Sequence, residues 1–467
     1  MYGNPILRQI NNPAANNTIP GVSAAVPGVA AVTGSAAGTP LLCVSSYSGS
    51  QVHYIYLDNN GNVWDAFEDR NTREFNLQQI RNPGGETPAA AAGPFVGLYS
   101  NQQHIVWISG GNVFSLGEPD VGTIWDCWYD GKGWHFQRIN NAHYPTNYPG
   151  VYSATSGPQA AFDSTLFAPP GIQGPSFSVA IWNWLGQQHF TYACVTGTVF
   201  DAFWDGGQWH LQQINQSYSS SAPPPPPPQG NTGAPLALGD PYAGVYQIFA
   251  NINPQEHIAY RDFSAIIWDC WFDPAAVGHR NPWSKQQINV GRGNPPSGSR
   301  PLTEAPAAVL GPVVWNSDTQ QHFTFLGDSG KLWDAWYDWR TNGWSSRQIN
   351  LGAAGGETTP ANAPEAAGVP YVCSWGADDL PPTQHIVYRD LNGGIRDLWL
   401  DVVNDTWHAD LLNMGGVFGN VPPAAGDPFV WTYSDQYLTD IHFTYRDANG
   451  TVWDMGYFMG LPIEGRG

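Results

Sequence analysis

Residues 320–350 read QQHFTFLGDSGKLWDAWYDWRTNGWSSRQIN, and this stretch contains the pattern on which the fold depends. A strand-like run led by His322 is followed by a turn at Asp328-Ser329-Gly330, and then by a second run that contains Trp333-Asp334. A third segment begins at Trp344 and ends in Gln348-Ile349-Asn350. Aromatic residues favour strands, and a Ser-Gly turn favours a tight connection between them. The stretch therefore predicts antiparallel strands.

The same pattern occurs seven times along the 467-residue chain, which makes the protein a tandem repeat. The repeated histidines are His53, His104, His189, His257, His322, His385 and His442, and the matching aspartates are Asp65, Asp126, Asp201, Asp269, Asp334, Asp397 and Asp454. In six copies the two residues are 12 positions apart, whereas His104 and Asp126 are 22 apart. Extra residues around Gly117–Gly122 lengthen that hairpin, and a surface loop absorbs such an insertion at little cost.

Another short apolar run precedes each copy, for example Val313-Val314-Trp315, so that every unit holds four strands. Units of this kind are typical of propeller blades, which bury both faces only by packing against neighbouring blades. The last unit lacks its closing segment, and Ile6–Asn11 supplies a matching one at the other end of the chain. We predict an all-β fold, a seven-bladed β-propeller of four-stranded antiparallel blades in which the N-terminal strand joins the last blade.

A single propeller domain is predicted over residues 1–460. The expected blades are residues 39–83, 92–141, 175–216, 241–290, 305–351, 366–413, and 426–460 together with 5–11. The segment 217–239, with consecutive prolines from Pro223 to Pro228, is predicted to be a stiff inter-blade loop. Residues 463–467 resemble a protease site added for expression and are left out of the fold argument.

Composition and charge exclude several classes of partner. Lys and Arg number 18 against 38 Asp and Glu, and the net charge of −20 would repel nucleic acid and anionic membranes. No apolar run approaches the roughly 20 residues that span a bilayer, so no membrane insertion is expected. The first residues lack the features of a secretory signal, so a soluble protein of unknown localisation is expected: it is either cytoplasmic, or released with its leader already removed and no signal peptide visible.

Nothing in the sequence indicates catalysis, a cofactor or a metal. The five cysteines form no CxxC pair and are expected to be small buried thiols. The chain has no GxSxG, HExxH or glycine-rich phosphate motif, and a pair repeated seven times is not the asymmetric set that catalysis needs. Turns such as Asp390–Gly393 lack the ligand spacing of a calcium loop and are expected to close in a left-handed glycine.

The predicted hairpins place each His and Asp on one face of a blade. A three-residue loop sets His53 across from Phe67 and Asp65 across from Ile55, which makes imidazole and carboxylate diagonal neighbours. In one interpretation, these groups and the aromatic ring bind a sugar through hydrogen bonds and stacking. In the other, the buried pair holds the blade together, as in WD-repeat propellers. The sequence leaves both open.

The unit formed by His385–Asp390, Gly393-Gly394 and Ile395-Arg396-Asp397 resembles the fungal fucose-specific lectins and the related bacterial propeller lectins. The resemblance covers residues 5 to 460. It implies sugar sites between adjacent blades, formed in that family by an Arg, a Glu and aromatic residues. The family's Arg falls on His385 and its Glu on Asp397. Fucose, N-acetylglucosamine or methylated sugars are the ligands that the resemblance implies.

We therefore expect a non-enzymatic lectin with several monosaccharide sites that acts multivalently on glycans or glycoconjugates, as a monomer or a homo-oligomer. The alternatives are a scaffold for protein partners or, failing that, a propeller enzyme.

Arg396 and Met455-Gly456 mark the sixth and seventh units as altered sites. The tryptophans that open the closing segments, Trp134, Trp209, Trp283, Trp344 and Trp407, are expected to lie in blade cores. The candidate ligand-binding residues are His53, Asp65, His104, Asp126, His189, Asp201, His257, Asp269, His322, Asp334, Trp336, His385, Asp397, Trp399, His442 and Asp454.

Overall fold

The computed structural model describes most of the repeated segments and leaves out much of what lies between them. The described residues are 5–10, 42–47, 51–57, 61–69, 72, 74–82, 89–99, 102–109, 123–139, 179–184, 186–193, 197–207, 209–215, 232–238, 241–246, 255–274, 283–292, 301–317, 319–350, 363–375, 383–401, 406–434 and 439–458. The insertion at Gly117–Gly122, the proline run Pro223–Pro228 and the terminal residues 463–467 lie outside this set. The described residues contain no helix long and apolar enough to span a membrane.

The chain forms seven four-stranded antiparallel sheets, which are the predicted blades. Blade 1 contains β2 (Leu42–Tyr47), β3 (Gln51–Leu57), β4 (Val63–Asp69) and β5 (Glu74–Gln79). Blade 2 contains β6 (Ala90–Tyr99), β7 (Gln102–Ser109), β8 (Ile124–Tyr129) and β9 (Trp134–Arg138). Blade 3 contains β10 (Val179–Trp184), β11 (Gln187–Ala193), β12 (Val199–Trp204) and β13 (Trp209–Gln213). Blade 4 contains β14 (Tyr242–Tyr246), β15 (Gln255–Arg261), β16 (Ile267–Phe272) and β17 (Trp283–Gln287).

The remaining three blades follow the same plan. Blade 5 contains β18 (Ala308–Ser317), β19 (Gln320–Gly327), β20 (Leu332–Asp338) and β21 (Gly343–Gln348), with a short 3-10 turn at Asp328–Gly330. Blade 6 contains β22 (Tyr371–Trp375), β23 (Thr383–Arg389), β24 (Ile395–Asp401) and β25 (Thr406–Leu411). Blade 7 contains β26 (Phe429–Ser434), β27 (Thr439–Arg446) and β28 (Val452–Phe458), and β1 (Pro5–Gln9) pairs with β28 as its fourth strand.

The seven blades are arranged in a ring. The first strands of consecutive blades, β2, β6, β10, β14, β18, β22 and β26, each contact the next, and β26 contacts β2. Each of the seven apolar clusters combines side chains from two neighbouring blades; for example, Ile55 of blade 1 packs with Ile105 and Trp107 of blade 2. The cores therefore lie between the sheets, because a single sheet cannot bury its own faces.

The predicted register within the hairpins is confirmed. His53 is opposite Phe67 and Asp65 is opposite Ile55, and the other six blades repeat this arrangement of His and Asp. The turn glycine of the sixth blade, Gly393, has a φ of 82°, as a left-handed closing residue requires. The tryptophans Trp134, Trp209, Trp283, Trp344 and Trp407 pack against the inter-blade clusters, which confirms their core position.

The closing Gln-Gln-Ile-Asn motif has a structural explanation that the sequence did not supply. The Asn289 side chain accepts a hydrogen bond from the Ile267 N–H at 2.6 Å and donates to the Ala265 and Pro306 carbonyls at 3.1 and 2.7 Å. Asn215, Asn350 and Asn413 make the equivalent bonds in their blades. The Asn thereby ties the outer strand to the hairpin turn and to the segment that enters the next blade.

Three described cysteines are free. Cys127 and Cys270 are buried, and Cys373 is half-buried. Burial raises the pKa of the Cys270 thiol to about 12, which keeps it protonated and unreactive. Cys194 lies outside the described residues.

Replacing Ile10 with alanine tests how far the N-terminal strand stabilises the ring. Ile10 is 1% exposed, donates its N–H to the Val452 carbonyl at 2.9 Å, and packs with Tyr54 of blade 1 and Trp431 of blade 7. We expect Ile10→Ala to lower the free energy of unfolding by about 2–4 kcal/mol, measured by urea denaturation. The control Leu7→Ala, in the same strand but 47% exposed, should change it by less than about 0.5 kcal/mol. Equally small effects would show that the strand does not stabilise the ring.

Candidate functional site

All seven repeated histidines are hydrogen-bonded to the aspartate of their own blade. The shortest distance from Nδ1 to the carboxylate is 2.9 or 3.0 Å in every blade. The histidines are at most 5% exposed and the aspartates at most 1%. The pairs therefore lie beneath the accessible surface, and a ligand between blades first meets the groups around them.

A further donor from the outer strand reaches most of these carboxylates. In the first four blades it is the first Gln of the closing motif, whose Nε2 donates at 2.8 or 2.9 Å: Gln78, Gln137, Gln212 and Gln286. The fifth blade has Arg347 at this position, 3.7 Å from Asp334, and the seventh has Arg8. Burial alone would raise the pKa of Asp334, but His322 and Arg347 outweigh it and hold the pKa below its ordinary value.

An aromatic ring lies beside each pair in the first six blades. The ring is half-buried and stacks on the histidine: Phe67, Trp128, Phe203, Trp271, Trp336 and Trp399. Each ring lies on the face of its blade that packs against the following blade, and we call the partly exposed edge of this interface a crease. The predicted grouping of His, Asp and aromatic residue is therefore present in six of the seven blades.

The crease between blades 5 and 6 combines two aromatic rings with a cation. The Arg347 guanidinium lies 5.1 Å from the ring centre of Trp336 and 4.8 Å from that of Trp407, which belongs to blade 6. The Arg347 side chain is 22% exposed, but its Nε is buried and has no hydrogen-bond acceptor among the described residues. A buried donor of this kind is costly unless a ligand or water satisfies it.

The crease between blades 7 and 1 contains an equivalent arginine that is already paired. Arg8 forms an ion pair with Glu68 of blade 1, whose side chain is 7% exposed. The residue of blade 6 that corresponds to Glu68 is Leu400, because both are paired with the residue before the repeated His. Arg8 and Arg347 therefore occupy the same repeat position, but only Arg8 faces a carboxylate from the next blade.

In three other creases, a second histidine stacks on the aromatic ring. His135 stacks on Trp128 at 5.2 Å and His408 stacks on Trp399 at 4.0 Å, while His210 lies 4.8 Å from the ring of Phe203. His135 is also 2.9 Å from Asp130, and backbone hydrogen bonds together with this ring lower the pKa of Asp130 to about 2. These half-exposed groups were not identified from the sequence, because they follow the repeated tryptophan in only some units.

The sixth and seventh units, which depart from the repeat at Arg396 and at Met455-Gly456, differ from the others in different ways. In blade 6, Arg396 Nε donates to Asp390 at 2.9 Å, in place of the bond that Trp268 makes to Asp262 in blade 4. It therefore stabilises a turn, and the expectation that it marks an altered ligand site stays a prediction. In blade 7, a Cβ at Gly456 would come within 2.8 Å of His442, so this crease has no aromatic ring at that position.

Solved structures that are similar to this chain include a bacterial and a fungal lectin. The BP39L lectin from Burkholderia pseudomallei is 17% identical with a TM-score of 0.49, over 90% of this chain and 96% of that lectin. The Aleuria aurantia lectin, a six-bladed propeller with a described mode of fucose recognition, is 11% identical with a TM-score of 0.38, over 81% and 94%. AofleA from Arthrobotrys oligospora is 11% identical with a TM-score of 0.40, over 80% and 86%. No family model and no curated protein matches the sequence.

Removing the carboxylate of one repeated aspartate tests whether the His–Asp pairs stabilise the blades. Asp334→Ala leaves His322 and Arg347 without their buried acceptor, and we expect it to lower the free energy of unfolding by about 3–5 kcal/mol. Asp328→Ala, in the same hairpin but with a 58% exposed side chain, should change it by less than about 0.5 kcal/mol. Urea denaturation of both variants measures the difference. Equal stability of the two variants would contradict a structural role for the pair.

Proposed function

We propose that this protein is a lectin that binds monosaccharide units of glycans in creases between its blades and catalyses no reaction. The observation that carries the proposal is the crease between blades 5 and 6. There, Arg347 lies between the half-buried rings of Trp336 and Trp407 and retains a buried Nε without an acceptor. Aromatic faces and a guanidinium donor are the two kinds of group that recognise a sugar ring.

The chemistry of the crease matches a neutral sugar that also carries an apolar group. An indole ring stacks on the C–H face of a pyranose, while the guanidinium donates to neighbouring hydroxyl or ring oxygens. Fucose, N-acetylglucosamine and methylated sugars all present a methyl group that a second indole can cover. An acidic sugar would suit Arg347 locally, but the net charge of −20 would oppose its approach.

The buried pair has a supporting role in this proposal. Asp334 lies 3.7 Å from Arg347 and is hydrogen-bonded to His322, so it fixes the charge and orientation of the guanidinium from below. Direct contact between a sugar and the repeated His and Asp residues stays a prediction. Trp336 and Trp399 are the predicted residues whose rings reach the crease.

We also propose that the sites around the ring are unequal and number fewer than seven. The creases that follow blades 2, 3 and 6 offer an aromatic ring with a second histidine. The crease between blades 7 and 1 offers neither a ring at Gly456 nor an uncompensated cation, because Glu68 pairs with Arg8. Several weak sites facing a clustered glycan would bind it far more tightly than one site alone.

Replacing Arg347 with glutamine tests the proposal. Glutamine is the residue found at this position in four other blades, where it bonds the central Asp, so we expect Arg347→Gln to fold. The crease between blades 5 and 6 should lose at least about tenfold in affinity for the sugars selected on a glycan array. Isothermal titration calorimetry with the free monosaccharide would measure this as about one site fewer per chain.

Arg8→Gln is the matched control, and it should leave sugar affinity unchanged because the Arg8 charge is used by Glu68. Equal affinity of the native protein and the Arg347→Gln variant would place the site elsewhere. Absence of sugar-competed binding to every glycan, together with recovery of a protein partner in pull-down experiments, would favour the scaffold function instead.

A further inference from the structure

The interface between blades 3 and 4 differs from the other interfaces in one buried residue. Glu256 precedes the repeated His of blade 4 and points back towards blade 3. In four other blades this position holds a glutamine: Gln103, Gln188, Gln321 and Gln384. A neutral amide has thus been replaced by a carboxyl group at a site that is 1% exposed.

Glu256 lies next to the His–Asp pair of blade 3. One ring nitrogen of His189, one carboxylate oxygen of Asp201 and one of Glu256 lie within 4.8 Å of one another. All three side chains are at least 99% buried. The three groups come from β11 and β12 of blade 3 and from β15 of blade 4, so they meet only where the two sheets pack together.

The group carries an excess of negative charge. Asp201 accepts hydrogen bonds from His189 at 2.9 Å, Thr191 at 3.2 Å and Gln212 at 2.9 Å. Among the residues that the structure describes, Oε1 of Glu256 has no hydrogen-bond donor. Burial and the Asp201 carboxylate together raise the pKa of Glu256 well above its ordinary value. A buried carboxylate without a partner is strongly unfavourable, so a proton or a cation has to compensate it.

We propose that His189, Asp201 and Glu256 bind a divalent transition-metal ion of the zinc class between blades 3 and 4. An imidazole with two carboxylates is a donor set that suits such ions rather than Mg²⁺ or Ca²⁺. Two carboxylates and a neutral imidazole also balance a charge of +2. The ion would take the place of the His189 hydrogen bond to Asp201: with the ring proton on Nε2, which faces Gln187 Oε1 at 3.3 Å, the lone pair of Nδ1 can bind the ion. Thr191 and Gln212 orient the Asp201 carboxylate, as outer-shell hydrogen bonds do in metal sites.

The ion would join two blades. A zinc ion lies about 2.0–2.2 Å from its nitrogen and oxygen ligands, which places tetrahedral ligand atoms about 3.4 Å apart. The ligand atoms here lie within 4.8 Å of one another, so the three side chains would close around the ion by up to about 1.4 Å. Because Asp201 and Glu256 belong to different sheets, binding would stabilise this interface of the ring. The sugar-binding crease between blades 5 and 6 does not take part.

Zinc titration of the native protein and of Glu256→Gln tests the site. Both proteins are first treated with a chelator and dialysed, then titrated with ZnCl₂ by isothermal calorimetry and followed by thermal unfolding. We expect the native protein to bind one equivalent of zinc and to unfold at a temperature several degrees higher with the ion. Glu256→Gln should fold, since glutamine is found at this position in four blades, and should lose both effects.

Glu304→Gln, which removes an exposed carboxylate, is the matched control and should bind zinc like the native protein. Failure of the native protein to bind one equivalent, or equal binding by Glu256→Gln, would overturn the proposal. A different outcome would also overturn the proposal: the native protein does not bind zinc but becomes more stable on acidification, and Glu256→Gln abolishes that gain. This result would show that a shared proton compensates the charge instead. Sugar affinity at the crease between blades 5 and 6 should be the same in all three proteins, which separates this test from that of the lectin function.

Discussion

Every blade of this ring contains a carboxylate that water cannot reach, and its compensation is the constraint on which the rest of the structure depends. The histidine twelve positions earlier supplies one donor in six blades, and the hairpin register places that donor within 3.0 Å. A buried acceptor with several lone pairs needs more than one donor. The outer strand therefore contributes as well, through Gln212 in blade 3 or an arginine in blade 5.

The choice of this second donor differentiates otherwise similar blades. Glutamine satisfies the carboxylate without adding charge, and it closes the polar network within one sheet. Arginine adds a positive charge that needs a compensating group, and the residues of the next blade determine which group that is. Glu68 balances Arg8 across one interface. Across another, Arg347 meets the Trp407 ring of the next blade and, among the described residues, no carboxylate from that blade. Glu256 is the reverse case, an added anion that faces a pair already satisfied.

The sequence was sufficient to predict strand pairing and shared faces within one repeat. A separation of 12 positions and a three-residue turn fix which strands pair and which side chains share a face, so the position of Asp65 beside His53 could be predicted. Contacts between repeats could not. Arg347 and Trp407 are 60 positions apart and meet only because their blades pack, and nothing in the sequence specifies the depth of that packing. The hydrogen bond from Arg396 to Asp390 was also not predicted, because the equivalent position in blade 4 holds an aromatic residue, Trp268.

The comparison of repeat positions also bears on why Arg347 is there. The fold does not require a cation at this position, because a neutral glutamine compensates the same carboxylate in four blades at 2.8 or 2.9 Å. Arg347 makes a longer contact of 3.7 Å and leaves a buried donor without an acceptor among the described residues. In terms of stability alone, it is the poorer choice. Arg347 stabilises the folded chain less well than the equivalent glutamines do, and it lies between two half-buried indoles. Its presence is best explained by a ligand that supplies the missing hydrogen-bond acceptor.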